Sequence, residues 1–371
     1  MYLCKLNKNN NLIGLSIKTI YMRLNIRYIS LILLLFFVTY TNSLKAQPKK
    51  TVKIGCIGFY NLENLFDTIN QDDVNDEEFT PEGINKWNAE RYKIKLKNMA
   101  EVISQIGDEL VKSGPSIMGF SEIENRSVLQ DLINEPALKP MDFDIVHYDS
   151  PERRGVDVGL IYQKAHFTVT NSYAVHLTMP KDTGFKSRDQ LVVSGLYDGE
   201  LIHIIVNHWP SRRGGEKRSE HLRIRAAQVC RSIADSIMQR EPNAKIFIMG
   251  DLNDDPSNIS ILKHLKAKKA TEEMQAGDLY NPMYKLYKDG VGSLAYRDSW
   301  NLFDQIIISY PLTQKDLETY KVLKAKVFNK PFLTQKEGQF AGYPWRTYVG
   351  NTFMGGYSDH FPVYVFLVKQ K

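Results

Sequence analysis

The sequence predicts an α/β (α+β) protein of mixed β-sheets packed on each other, with helices on the outside. Nine apolar, β-rich runs stand against two clear amphipathic helical patterns, an excess that needs more than one sheet. Polar clusters stand at the ends of four of those runs and at the beginnings of two others. If all six clusters meet at one place, four strands reach it as they end and two as they begin. The strands then run in both directions, which argues against an all-parallel doubly wound sheet. With 43% hydrophobic and 24% charged residues among 371, the composition is that of a folded globular protein.

The chain opens with a leader. Arg23 and Arg27 precede the uncharged run 29–38, and Ala46 closes a short polar stretch before Gln47. This three-part pattern predicts a cleaved secretory signal within residues 1–46, hence a secreted or periplasmic protein. The uncharged stretch 28–44 has 17 residues and a polar tail, short of the roughly 20 apolar residues a transmembrane helix needs. No cysteine follows the run, so neither a lipid anchor nor a stable membrane anchor is expected. A signal of ordinary form would begin at Met22, which leaves Met1 and Met22 as alternative starts. The leader holds Lys5, Lys8, Lys18, Arg23, Arg27 and Lys45 and no acid, so the whole-chain charge of +6 becomes 42 basic against 42 acidic residues beyond it. Overall basicity therefore says nothing about the mature protein's partners.

Residues 51–369 contain no repeat and no linker long enough to divide them, and read as one domain. The first run, 52–60, leads to Asn61 and Glu63. The acidic stretch 67–82 lacks the alternating oxygen ligands and central glycine of a calcium loop and reads as a solvated loop. Asn88 is placed to cap a helix with Tyr92, Leu96, Met99, Val102, Ile103, Ile106 and Leu110 on one face, closed by Gly114 and Pro115. Run 117–120 leads to Glu122. Runs 156–162, 167–174, 191–196 and 201–206 follow, the last ending in Asn207 and His208. A second helix is expected over about 219–239, with Leu222, Ala226, Val229, Ile233 and Ile237 on one face. Run 246–249 ends in Asp251 and Asn253, Asp304 precedes run 306–309, and Asp359 and His360 precede run 363–368.

The gathered groups are carboxylates, amides and two imidazoles, with no thiolate. Hard oxygen donors suit Mg²⁺, Mn²⁺ or Ca²⁺ rather than zinc. The pairs Arg153–Arg154 and Arg212–Arg213 can offer bidentate donors to phosphate oxygens. A hard cation, an imidazole held by a carboxylate and arginines together fit phosphoester hydrolysis. Arg212 and Arg213 read equally well as solvated loop charges. Trp209, Trp345 and Tyr357, beside these motifs, read first as loop packing and second as stacking platforms for a base. Cys56 and Cys230 read as core residues.

The ordered set FYNLEN, SEIEN, GVDVGLIY, VNHWPS, GDLND, FDQI and YSDHFPV resembles the endonuclease/exonuclease/phosphatase superfamily, which includes DNase I, exonuclease III-type apurinic endonucleases, neutral sphingomyelinases and inositol-polyphosphate 5-phosphatases. The resemblance spans nearly all of the mature chain and implies a four-layer α/β/β/α sandwich of two mixed sheets, DNase I-like. It implies Glu122 as the principal metal carboxylate, with Asn61, Glu63 and Asp359 near the metal, Glu63 standing where many members have Asp. Asp251 and Asn253 match the pair that contacts the attacking water and the scissile phosphate, and His360 the catalytic imidazole, oriented by Asp304. His208 matches a histidine that contacts phosphate or acts as a second acid, and Asp157 the aspartate of the GVDVGLIY strand. Asn207, Arg153, Arg154, Arg212 and Arg213 are the expected substrate contacts.

The leading expectation is thus a secreted, divalent-metal-dependent phosphodiesterase, foremost a nuclease acting on DNA or RNA. A lipid or sugar-phosphate esterase keeps the chemistry and changes the substrate, and the balanced charge keeps it open. A catalytically silent binding module is the alternative of another class, opposed by the intact acid, amide and imidazole set. The sequence singles out no protein partner.

Overall fold

The computed structural model describes residues 22, 23, 25–32, 34 and 51–371. The expected cleavage point after Ala46 lies outside the described residues. The described residues between 22 and 34 are helical, and no described helix is long and apolar enough to cross a membrane.

Two large mixed sheets make up the centre of the unit Val52–Lys371. The first contains β1 (Val52–Leu65), β2 (Ile117–Ile123), β3 (Phe143–His147), β4 (Asp157–Gln163), β14 (Lys321–Val327) and β17 (Val363–Gln370), in the order β14-β17-β1-β2-β4-β3. The second contains β5 (Phe167–Val175), β6 (Gln190–Tyr197), β7 (Glu200–His208), β8 (Ile246–Asp251), β9 (Ala267–Lys268), β10 (Leu279–Tyr280) and β13 (Asp304–Ser309), in the order β5-β6-β7-β8-β13-β10-β9. Within them β1 and β2 are parallel, as are β7 and β8. Strand β17 runs antiparallel to β1, and β13 antiparallel to β8. Both strand directions are present in each sheet, as the placement of the polar clusters requires.

Period-2 alternation sorts the apolar side chains into layers. In β7, Ile204 and Val206 face the core shared with the first sheet, while Ile205 faces the helical side. Strand β8 repeats this, with Phe247 and Met249 inward and Ile246 and Ile248 outward. Helices α1 (Ala89–Gln105) and α2 (Arg126–Asn134) cover the first sheet through Met99, Val102, Ile103, Val128 and Leu132. Helix α3 (Glu216–Arg240) covers the second through Ala226, Cys230, Ile233 and Ile237. The result is the expected four-layer α/β/β/α sandwich. At Gly119 an added Cβ would lie 2.6 Å from Met249 Sδ on the opposite sheet, so a larger residue would force Met249 to repack.

Asn88 caps α1 as expected, its side chain accepting from Arg91 N at 3.0 Å. The helix ends at Gln105, short of the predicted Gly114: Ile106 turns extended at ψ 123°, and Gly107 follows with a left-handed φ of 78°. Leu110, expected on the buried face, therefore lies outside the helix and is 40% exposed. Cys56 and Cys230 are buried, and burial pushes both thiols up, Cys230 to about 12. Trp209 is buried as well, and Trp345 packs edge-on against Tyr357 at 5.9 Å.

A candidate active site

The six polar clusters meet where the topology brings them. Strands β1, β2, β7 and β8 arrive with their C-terminal ends, and β13 and β17 depart from the same edge. Asp251 lies opposite both His208 and Asp304 in register. A side-chain bond ties the two sheets there, from Asn61 Nδ2 to Asp251 Oδ2 at 3.1 Å.

Backbone irregularity aims these groups. Glu63, Asn64, Glu122 and Asn253 have left-handed φ values of 48°, 58°, 58° and 50°. Such strain in non-glycine residues costs on the order of 1–3 kcal/mol each and concentrates where function requires it. The pairing of β2 with both β1 and β4 shifts register around Glu122, a bulge that turns its carboxylate out of the sheet. Glu122 Oε2 then accepts from Asn64 N at 3.2 Å, and Asp251 Oδ1 from Asn253 N at 2.9 Å. Gly250 is obligatory between them, since a Cβ would lie 2.2 Å from the Asn207 carbonyl oxygen.

Asp251 is the hub. Its Oδ2 lies 3.7 Å from His208 Nε2 and 4.0 Å from His360 Nε2. Burial, aided by the charges of Asp304 and Glu122, raises its pKa to about 7 against the pull of His360. His360 Nδ1 is 2.6 Å from Asp304 Oδ2, which also accepts from Ser293 Oγ. That bond keeps a proton on Nδ1, donated to the Asp304 carboxylate, and turns Nε2 toward Asp251 and Asp359. Burial opposes charge on His360, yet Asp304, Asp359 and Asp251 outweigh it and hold the imidazole well above its ordinary pKa. His208 is the reverse. Burial and the charges of Arg188, Arg154 and His360 push it well below the ordinary value.

These groups open into a cleft of about 680 Å³ whose walls carry Glu122, His208, Asp251, Asn253 and His360 together with Arg154, Lys186, Arg188, Arg213 and Arg218. Several expected contacts lie elsewhere. Asn207 is fully buried, donates to the carbonyls of Ile205 and Met249, and accepts from Trp209 Nε1 at 3.0 Å, so it holds β7 to β8 and has no group left for substrate. Arg153 is exposed and does not line the cleft. Arg212 binds Asn253 O at 2.9 Å and pairs with Asp254, Asp255 and Glu216, which makes it a brace for the GDLND turn. Glu63 turns from the cleft to accept from Thr347 N at 2.6 Å, and burial beside Asp359 lifts its pKa to about 7. Asp359 pairs with Arg346 at 3.1 Å. Asp157 is held by His147 at 3.0 Å and by Ser150, outside the cleft. His147, Asp149 and Asp157 form a separate group whose ligand atoms lie within 4.8 Å of one another.

The sequence model of the family described as endonuclease/exonuclease/phosphatase matches residues 56–369. The chain belongs to the endonuclease/exonuclease/phosphatase family. By that membership it is a phosphoesterase hydrolase, of a family whose members depend on divalent metal. No curated protein matches the chain. Among solved structures it is similar to a family protein from Bacteroides thetaiotaomicron, at 16% identity over 86% of this chain and 100% of that one, with a TM-score of 0.51. It is also similar to TDP2 from C. elegans, at 15% identity over 85% of this chain and 75% of that one, TM-score 0.51. A third is D. rerio TDP2 complexed with single-strand DNA product, at 12% identity over 85% and 99%, TM-score 0.50. At these identities the likeness establishes the fold.

For a member of this family the site contains groups the motifs do not mark. Arg188, 7% exposed, donates to Trp209 O at 2.7 Å and leaves its Nε without a partner. It follows a loop at the start of β6, where a lone arginine gives no periodic signal. Lys95, on α1, is buried and donates to Thr347 Oγ1 and Tyr357 O, each at 2.6 Å. Burial lowers its pKa to about 8 against the pull of Glu63, Asp359 and Glu122. It anchors the segment carrying Asp359 and His360.

The donor set fits a hard divalent cation. Glu122 and Asp251 are carboxylates brought together beside Asp304, and the Asp251 pKa is raised first by burial and then by those neighbouring charges, a cost a cation relieves. Asn61 Oδ1 accepts one bond, from Glu63 N at 2.9 Å, and keeps a lone pair for a metal.

Proposed function

We propose that the protein is a divalent-metal-dependent phosphodiesterase acting on nucleic acid. The observation that carries this reading is the composition of the cleft. Five cations, Arg154, Lys186, Arg188, Arg213 and Arg218, line the walls that also hold Glu122, His208, Asp251, Asn253 and His360, and Glu152, also in the lining, pairs with Arg154 at 3.3 Å. Overall charge balance does not supply this field; local placement does.

Glu122 and Asn61 would hold Mg²⁺ or Mn²⁺, with Ca²⁺ also compatible with the oxygen donors. When bound, the ion polarises the phosphoryl oxygen and offsets developing charge. Asp251 orients and deprotonates the attacking water, and Asn253 contacts the phosphate. His360, fixed by Asp304, presents Nε2 to the phosphoryl oxygens, and Arg188 supplies a buried guanidinium to the same group. Residues 1–46 direct export, and the mature chain begins at Gln47; N-terminal sequencing of exported protein reads this directly.

The test is hydrolysis of a single-stranded oligonucleotide, a phosphocholine lipid and a sugar phosphate, each with Mg²⁺ or Mn²⁺ and after chelation. The expected result is metal-dependent oligonucleotide cleavage whose KM rises steeply with salt. Turnover confined to the lipid or the sugar phosphate would reject the nuclease reading.

A further inference from the structure

A second cleft, of about 840 Å³, adjoins the first. Ser211, Arg213 and Gly214 line both, and the consecutive residues Asp359 and His360 face one each. Its outer wall is a hairpin of β11 (Leu294–Tyr296) and β12 (Ser299–Asn301). The hairpin turn places two non-glycine residues, Arg297 and Asp298, at φ values of 49° and 60°. A two-residue turn of this type normally uses Asn-Gly or Asp-Gly, so Arg297 and Asp298 are held there against their preference.

The surroundings do the holding. Asp298 N donates to Tyr343 Oη at 2.7 Å, and that hydroxyl donates to Asp298 Oδ1 at 2.6 Å. Trp300 stacks on Phe361, the neighbour of His360, at 5.9 Å and 15°. At the foot, Ser293 donates from Oγ to Asp304, the carboxylate that orients His360, and accepts from Phe361 N at 2.7 Å. The hairpin is thus registered to the catalytic imidazole at three points. What it presents to the cleft is Tyr296, 62% exposed, with the Arg297 guanidinium 5.2 Å from the ring centroid. Arg297 forms no ion pair among the described residues.

Beyond the modest gain of their own stacking, folding gives little reward to an exposed aromatic ring and an arginine without an ion pair on a strained turn rooted beside the catalytic residues. A ligand with both a flat ring and an anionic group rewards both. We propose that the second cleft is a subsite for a nucleotide flanking the scissile phosphate of a single strand, with Tyr296 stacking on its base and Arg297 contacting its phosphate. This rests on the phosphodiesterase reading above. A base stacked on an aromatic must be unpaired, so the subsite selects single strands over duplex.

The experiment compares Tyr296→Ala, Tyr296→Phe and Arg297→Ala with the parent on a single-stranded ten-mer and on methyl p-nitrophenyl phosphate, with Mn²⁺. The expected result is a fall of about tenfold in the ratio of kcat/KM for the ten-mer to that for the small diester in Tyr296→Ala, carried by KM. Tyr296→Phe restores the ratio, and Arg297→Ala flattens the salt dependence of KM. A ratio equal to the parent's in Tyr296→Ala, or an equal loss on both substrates, overturns the subsite. Failure of the parent to cleave any oligonucleotide while it hydrolyses the small diester overturns the nucleic-acid reading instead.

Discussion

His360 and His208 flank the same carboxylate, Asp251, and the fold charges them in opposite directions. His360 has Asp304 at 2.6 Å and is raised well above the ordinary pKa. His208 has no carboxylate at hydrogen-bond distance, its Nδ1 is without a partner, and it lies among arginines and is lowered. Burial acts on both in the same sense, so it does not separate them. The difference is the surrounding charge, Asp304, Asp359 and Asp251 about His360 against Arg188 and Arg154 about His208, and in the proposed mechanism it divides the labour: His360 would carry charge to the phosphoryl group, while His208 would stay neutral and serve as a polar contact.

Removing each partner tests that division. His360→Ala should cost the most, about 10³-fold in kcat, the upper range for loss of a donor that stabilises transition-state charge. Asp304→Asn should cost about 10²-fold, and the His360 resonance followed by NMR should titrate at lower pH than in the parent. His208→Gln should cost about tenfold, through KM more than kcat. Equal losses in His208→Gln and His360→Ala would erase the distinction.

Stability against pH in the metal-free protein sharpens it. The folded pKa of His360 is raised, so its contribution is complete below the unfolded value of about 6.5 and is lost as pH rises through the folded value. The folded pKa of His208 is lowered, so as pH falls below about 6.5 the unfolded chain takes a proton the folded one refuses, and stability falls. In thermal melts, His360→Gln should flatten the alkaline side of the profile and His208→Gln the acid side. The smallest effect is expected of Arg153→Ala, exposed and outside the cleft, with less than about a twofold change in kcat/KM.

The layer architecture and the convergence of Asp251, Asp304, Glu122 and His360 were legible in the sequence because apolar runs mark strands and the placement of polar residues marks strand direction. Asn207 was readable too, in the opposite sense from the one drawn. Adjacent residues of a strand point to opposite faces, so an amide beside His208 points away from the cleft His208 enters. Arg188 and Lys95 were not legible. A single arginine after a loop has no period, and Lys95 sits in a helix where lysines ordinarily face solvent; only the segment 345–359 folding across α1 buries it. Strand β14 escaped because its lysines interrupt the apolar alternation, as suits a sheet edge. The bulge that turns Glu122 outward depends on two neighbouring strands and has no local signature.

Metal-assisted hydrolysis through His360 is tested most directly by cleavage of a single-stranded oligonucleotide by chelator-stripped protein before and after Mn²⁺ is restored, in the parent and in His360→Ala. No cleavage is expected without metal, with full recovery in the parent and a residual rate about 10³-fold lower in His360→Ala. Cleavage that survives chelation, or a His360→Ala rate equal to the parent's, would contradict it.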